Sequence, residues 1–144
     1  MFDEQYVDPS RVNFDAFKAL DRATPILMLN KLKFHDQARY EVGHPLANRT
    51  MTGAEAYANY GTDSGPIFSR VGGTIVWRGN FESTVIGPSD EFWDQVFIAR
   101  YPNAGAFLEM VTDPVYQQAV KHRQAAVLTS RLQRFGELEL GNTF

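Results

Sequence analysis

Three histidines are the groups of this 144-residue chain best suited to proton chemistry near neutral pH. His122 stands late in a helical stretch, next to Arg123. It is the candidate general base of the chain, and so the candidate catalytic residue. His35 and His44 belong to a polar segment that also holds Asp36 and Glu41. Those four side chains show no recognised ligand spacing, and no two histidines share one helix face, so no metal is expected. The alternative reading for them is ordinary solvated loop residues.

A second group consists of polar or amphipathic side chains on elements that otherwise pack. Asn30, Tyr57, Trp77, Arg100 and Arg123 are the candidates for binding a small ligand. Arg100 closes a strand that is apolar in its middle. A guanidinium there requires an anion, either a ligand carboxylate or enolate, or an internal ion pair with Asp94, Glu55 or Glu109. Glu82, Asp90, Glu91 and Asp94 cluster around an expected turn and read as a solvated rim rather than a general acid/base pair. No Ser-His-acid set, phosphate-binding glycine loop or dinucleotide fingerprint is present. The Gly72-Gly73 pair precedes a strand, the wrong order for a phosphate loop.

Composition narrows the classes further. The chain has no cysteine, which excludes disulfides, thiolate nucleophiles and Cys-based metal sites. Net charge is −3 with both signs interspersed. A basic stripe of the kind that binds nucleic acid or an acidic membrane surface is absent. No apolar run approaches the ~20 residues of a membrane helix. The opening MFDEQYVDPS is acidic and lacks the apolar centre of a signal peptide, so a cytoplasmic location is expected.

The elements that must position these residues follow from local signals. Asp8-Pro9 suggests a cap and first position for a helix over 9–20. A strand is expected over 25–34, with Ile26, Met28, Asn30, Leu32 and Phe34 on one face and Leu27, Leu29, Lys31 and Lys33 on the other. Residues 35–50 read as a long loop, of the kind that is often functional. Thr52 and Glu55 form a capping-box pattern. The helix they open should kink or restart near Ser64, because Gly65-Pro66 interrupts it, and should stop at Gly72-Gly73. Alternation predicts a strand over 74–86, with Ile75, Trp77, Phe81 and Val85 on one face. Turn residues follow at 87–91, then a strand over 92–101. Asn103 and Asp113-Pro114 open helices over 104–111 and 114–126. A strand over 127–135 ends the pattern.

After the leading helix the order is β-α-β-β-α-β, the split-βαβ arrangement of a ferredoxin-like α+β fold with a four-stranded antiparallel sheet. Right-handed crossovers place the helices on one sheet face and make the first and third strands central. Those two strands read as apolar on both faces. The uncovered face therefore calls for a second copy, which makes a homodimer the expected assembly. A single domain over 1–144 is expected, divided into a helical extension (1–24), a core (25–135) and a tail (136–144).

The runs LNKLKFHDQARYEVGHP, TGAEAYANYG, GGTIVWRGNFESTVIGP and WDQVFIARYPNAGAFLEMVTDPVYQQAVKHRQAAV resemble an uncharacterised conserved bacterial family, a domain of unknown function, of the dimeric α+β-barrel superfamily. The resemblance spans about 25–135. It implies the ferredoxin-like fold, a homodimer and a pocket beside the sheet. It implies no assigned activity. The superfamily includes cofactor-free monooxygenases, small-molecule isomerases and haem-handling enzymes; an Asn, a Trp and a helix His, here Asn30, Trp77 or Trp93, and His122, are the residue types its haem-degrading members use. Three readings stand open. One is an enzyme without a cofactor, acting on a small aromatic or carboxylate compound. The second is a ligand-binding or stress-related module without chemistry, and the third a haem-handling protein.

Overall fold

The computed structural model describes residues 4–144; the first three residues of the N-terminal segment lie outside the described residues. The elements are α1 (Arg11–Ala19), β1 (Ile26–Phe34), α2 (Gly53–Arg70), β2 (Thr74–Gly79), β3 (Gln95–Tyr101), α3 (Ala104–Thr112), α4 (Pro114–Ala126) and β4 (Val127–Phe135). The sheet order is β2-β3-β1-β4, antiparallel throughout. This is the ferredoxin-like α+β arrangement, with β1 and β3 central.

Side-chain caps fix the helix starts. Thr52 accepts from the Glu55 amide at 3.1 Å, Asn103 from Ala106 at 2.8 Å, and Asp113 from Val115 at 2.7 Å. The leading helix differs from expectation. Ser10, not Asp8, is its cap, accepting from the Asn13 amide, and Pro9 lies outside it. The expected break near Ser64 also fails to occur, and α2 runs unbroken through Pro66. Pro66 is exposed, so the carbonyl that its missing N–H leaves unbonded can turn to water.

One sheet face carries the core. Ile26 and Met28 of β1 and Ala99 and Tyr101 of β3 pack with Ile67, Phe107, Met110 and Tyr116. Leu32, Tyr57, Ala126 and Val127 form a second cluster, and Tyr60 and Phe97 border both. On the other face, register places Leu27 beside Arg100, Leu29 beside Ile98 and Lys31 beside Val96. All six are only partly buried, as the both-faces-apolar reading of β1 and β3 requires.

The strand expected over 74–86 is much shorter. β2 ends at Gly79, and residues 80–94 form an irregular excursion before β3. A register shift between Ile75 and Trp77 sets Ile75 opposite Ala99 but Trp77 opposite Ile98. Ala99 faces the helices and Ile98 faces away, so Ile75 and Trp77 lie on opposite faces and not on the one expected. One extra residue in a bulge has this effect, because the side-chain period of a strand is two.

Loop 35–50 is pinned by backbone bonds, from His35 to the Ala126 carbonyl (2.9 Å), from Arg39 to Ala125 (2.8 Å) and from Ala38 to Met51 (2.8 Å). The N-terminal segment docks on β4, where Tyr6 donates to Thr129 Oγ1 and accepts from the Ser130 amide. Among the described residues no helix is long and apolar enough to cross a membrane.

Candidate functional site

The side chain of His122 is held from both ends. Its Nε2 lies 3.0 Å from Asp63 Oδ2, and its Nδ1 lies 2.7 Å from the Tyr40 hydroxyl. A carboxylate can only accept, so Nε2 carries a proton. In the neutral ring Nδ1 then accepts from Tyr40, and in the imidazolium Nδ1 donates to it. Three elements supply the group: loop 35–50 gives Tyr40, α2 gives Asp63 and α4 gives His122. The His122 side chain is 13% exposed while that of Asp63 is 52% exposed. The ring is thus seated against the fold, and the carboxylate stands towards solvent.

His44 joins this group. Its ring stacks on Tyr40 at 4.5 Å and meets His122 edge-on at 5.8 Å. The Leu46 amide donates to His44 Nδ1 at 3.0 Å, which leaves the proton of the neutral ring on Nε2. Burial lowers the pKa of His44, and the neighbouring His122 and Lys121 lower it further, which favours the neutral ring. Burial also raises the pKa of Tyr40, so its hydroxyl keeps its proton. Glu41, His44, Leu46, Asp63, Lys121 and His122 are among the residues lining a groove of about 880 Å³ in front of the group. The chemistry available there is a histidine base oriented by a carboxylate and a phenol, a neutral imidazole donor, and a lysine cation.

The other residues singled out in the sequence do not converge on this groove. Asn30 lies on the helix-facing side of β1 and donates to the Met28 carbonyl at 3.0 Å. Tyr57 is buried among Phe34 and Tyr60, and burial pushes its hydroxyl well above the ordinary range. Trp77 is 52% exposed on the open sheet face. Arg123 ties the N-terminal segment to β4, donating to the Val7 carbonyl and to Ser130 Oγ. Asn30, Trp77 and His122 therefore occupy three separate places.

The internal ion pair expected for Arg100 is not formed. Asp94 is engaged by Lys33 at 3.4 Å and Glu109 by Arg70 at 3.0 Å, and among the described residues Arg100 has no ion pair. It stands on the open face between Leu27 and Thr74, so the carboxylates of the helical layer are out of reach. Among the described residues no group of three or more His, Cys, Asp or Glu is placed to hold a metal.

Tyr40 and Asp63 carried no signal in the sequence. They stand 82 and 59 positions from His122, and only the packing of loop 35–50 against α2 and α4 brings them to it.

The model of a family described as a domain of unknown function (DUF1330) matches residues 43–132. The crystal structure of methylated RPA0582 protein is 53% identical, with a TM-score of 0.88, over 96% of this chain and 98% of that one. A second structure of RPA0582, a protein of unknown function from Rhodopseudomonas palustris, is 52% identical, with a TM-score of 0.86, over 95% and 100%. SnoaB from Streptomyces nogalater, a cofactor-independent oxygenase, is 18% identical, with a TM-score of 0.51, over 82% and 97%. That likeness is one of fold. No curated protein matches the chain.

Proposed function

We infer that this chain, a member of the DUF1330 family of domains of unknown function, binds a small carbonyl or carboxylate compound in the groove at His122 and moves a proton on it without a cofactor. The observation that carries this reading is the suspension of His122 between Asp63 and Tyr40 at the wall of a groove. Both partners can serve either charge state of the ring. When the exposed Asp63 side chain swings aside, the ring gives its Nε2 proton to water and takes one from water on Nδ1; Nδ1–H then donates to the Tyr40 oxygen, and the Nε2 lone pair is free to take a proton from the substrate. Asp63 then stabilises the resulting imidazolium, as an oriented carboxylate does beside a histidine base. His44, neutral and with its proton on Nε2, is the donor for an oxygen that gains charge. Lys121 is the anchor for a carboxylate on the substrate.

A cofactor-independent oxygenase shares the fold, but fold alone does not select a chemistry. The site argues for proton transfer, and whether oxygen then reacts with the carbanion depends on the substrate. We take the protein to be cytoplasmic. Its open sheet face, with Leu27, Leu29 and Ile98, is read as covered by a second copy.

A second reading has its own support. Both ring nitrogens of His122 are already satisfied, so the group could serve only to clamp loop 35–50 in a ligand-binding module without chemistry. One experiment separates the two. Small 2-oxo acids are incubated with the protein in D₂O, and exchange at the carbon next to the carbonyl is followed by proton NMR. Catalysed exchange that is lost in His122→Gln and reduced in His44→Gln supports the enzyme. Binding of the acids without exchange supports the module, and neither binding nor exchange removes the groove as the site.

A further inference from the structure

Pro66 stands inside α2 and has no N–H, so the carbonyl of Thr62, four residues before it, lacks its helical partner. The proline ring also crowds that carbonyl and turns it outward. Thr62 and Pro66 both line the His122 groove, so the gap in the helix ladder opens on it. Thr62 is exposed, and its own hydroxyl is spent on the Ala58 carbonyl at 3.1 Å. The next residue is Asp63, whose carboxylate holds His122 Nε2. A backbone acceptor therefore stands in the groove beside the histidine, and proton transfer at His122 makes no use of it.

Its direction follows from the helix pair. α2 and α4 are antiparallel: Gly53 lies against the Ala126 carbonyl at one end, and further along the Tyr60 hydroxyl meets that of Tyr116 at 2.8 Å. Helical carbonyls point to the C-terminal end of their helix. That of Thr62 thus points past His122 towards the start of α4. There Gln118 lies one turn before His122 on the same helix face and lines the same groove. One turn is about 5.4 Å, roughly the reach of three or four bonds of an extended chain. Leu46, Pro66 and Val115 flank this stretch with apolar surface. The carbonyl can only accept, whereas the Gln118 amide offers both a donor and an acceptor. A hydroxyl fits both, donating to the first and accepting from the second.

We propose that the Thr62 carbonyl, freed by Pro66, selects hydroxy acids: the compound bound at His122 carries a hydroxyl about three or four bonds from the carbon that His122 serves. This rests on the His122 groove being the binding site, and it narrows the substrate class. An unsubstituted chain would strip water from the Thr62 carbonyl and leave the acceptor unmade, while a hydroxyl replaces that water. Sites that hydrogen-bond a substrate hydroxyl reject the analogue without it.

The probes are hexanoate and 6-hydroxyhexanoate, with dissociation constants read by proton NMR titration. The hydroxy acid should bind the wild type about tenfold more tightly, the equivalent of one net hydrogen bond. Pro66→Ala supplies the missing N–H, which takes the Thr62 carbonyl back into the helix. That variant should melt at a higher temperature, because the ladder is complete, and should bind the two acids equally. Gln118→Leu should lower the preference for the hydroxy acid, and Lys121→Gln should weaken both acids alike. Equal binding of the two acids by the wild type, or a preference that survives Pro66→Ala, overturns the selection and leaves the groove as the binding site. If neither acid binds, or if Lys121→Gln weakens neither, the selection and the groove reading fall together.

Discussion

The Tyr40 hydroxyl and His122 Nδ1 are 2.7 Å apart although 82 positions separate the two residues. This bond joins loop 35–50 to α4, and on the far side of the ring Asp63 continues it to α2. The imidazole thereby adds a side-chain tie to the backbone bonds that hold this long loop at Ala125 and Ala126.

The first prediction tests that coupling. Tyr40→Phe leaves the ring packing and removes one hydrogen bond, and His122→Gln removes the other partner. In a double-mutant cycle read by urea unfolding, the pair should show a coupling of about 0.5 kcal/mol or more, the lower end for residues in direct contact. Each single variant should cost roughly 1 kcal/mol, the typical net worth of such a bond. Additive effects would mean that the two groups stand together without interacting.

Loop 35–50 was legible as a loop because it is polar and aperiodic, but its attachment was not. The caps at Thr52, Asn103 and Asp113 are local patterns of a few residues, and they mark the starts of three helices. Tyr40 and Asp63 have no local pattern that points to His122. The bulge between Ile75 and Trp77 is equally silent in the sequence, since an alternating run looks the same whether or not one residue is skipped. Pro66 misled for a related reason. A proline reads as a break unless its exposure is known, and exposure is a tertiary property.

The second prediction concerns pH. His44 binds a proton less readily in the folded chain than in the unfolded one, chiefly because of burial, and His35 is displaced the same way. Below the ordinary imidazole value of 6.5 the unfolded chain therefore holds more protons than the folded one. The stabilising difference is complete above that value and is lost as pH falls through it towards the lower folded-state value. Urea midpoints measured from pH 7.5 to 5 should fall, and His44→Gln should flatten that fall. An equally steep fall in the variant would show that His44 does not contribute.

The third prediction compares two glycines of α2. A Cβ at Gly53 would stand 2.2 Å from the His35 carbonyl oxygen and 2.8 Å from that of Ala126, both backbone atoms. Gly53→Ala should destabilise by about 1–3 kcal/mol, the usual cost of overpacking, and should loosen loop 35–50 where it leaves β1. A Cβ at Gly61 would meet nothing within 4 Å. Gly61→Ala should stabilise by about 0.5–1 kcal/mol through helix propensity. Thermal unfolding of the two variants should move in opposite directions.

The fourth prediction concerns the open sheet face. Leu29 and Ile98 are paired at its centre, and Arg100 stands beside Leu27 with no ion pair among the described residues. If a second copy covers this face, light scattering should give twice the chain mass of 16.3 kDa. Ile98→Asp should return a folded monomer, because it places a charge in the centre of the contact. Under that cover a guanidinium without an anion would be costly, so Arg100 must meet either a carboxylate of the second copy or a free anion. The two cases separate in one thermal series. With a free anion, small carboxylates should raise the wild-type melting temperature, by the equivalent of about 2.7 kcal/mol at a hundredfold excess over the dissociation constant, and Arg100→Met should lose the gain while remaining dimeric. With a carboxylate of the second copy, carboxylates in solution should change nothing, and Arg100→Met should weaken the dimer by leaving that acid unpaired. If Arg100→Met changes neither the response to carboxylates nor the dimer, Arg100 is solvated in both states and the face around it is not closed.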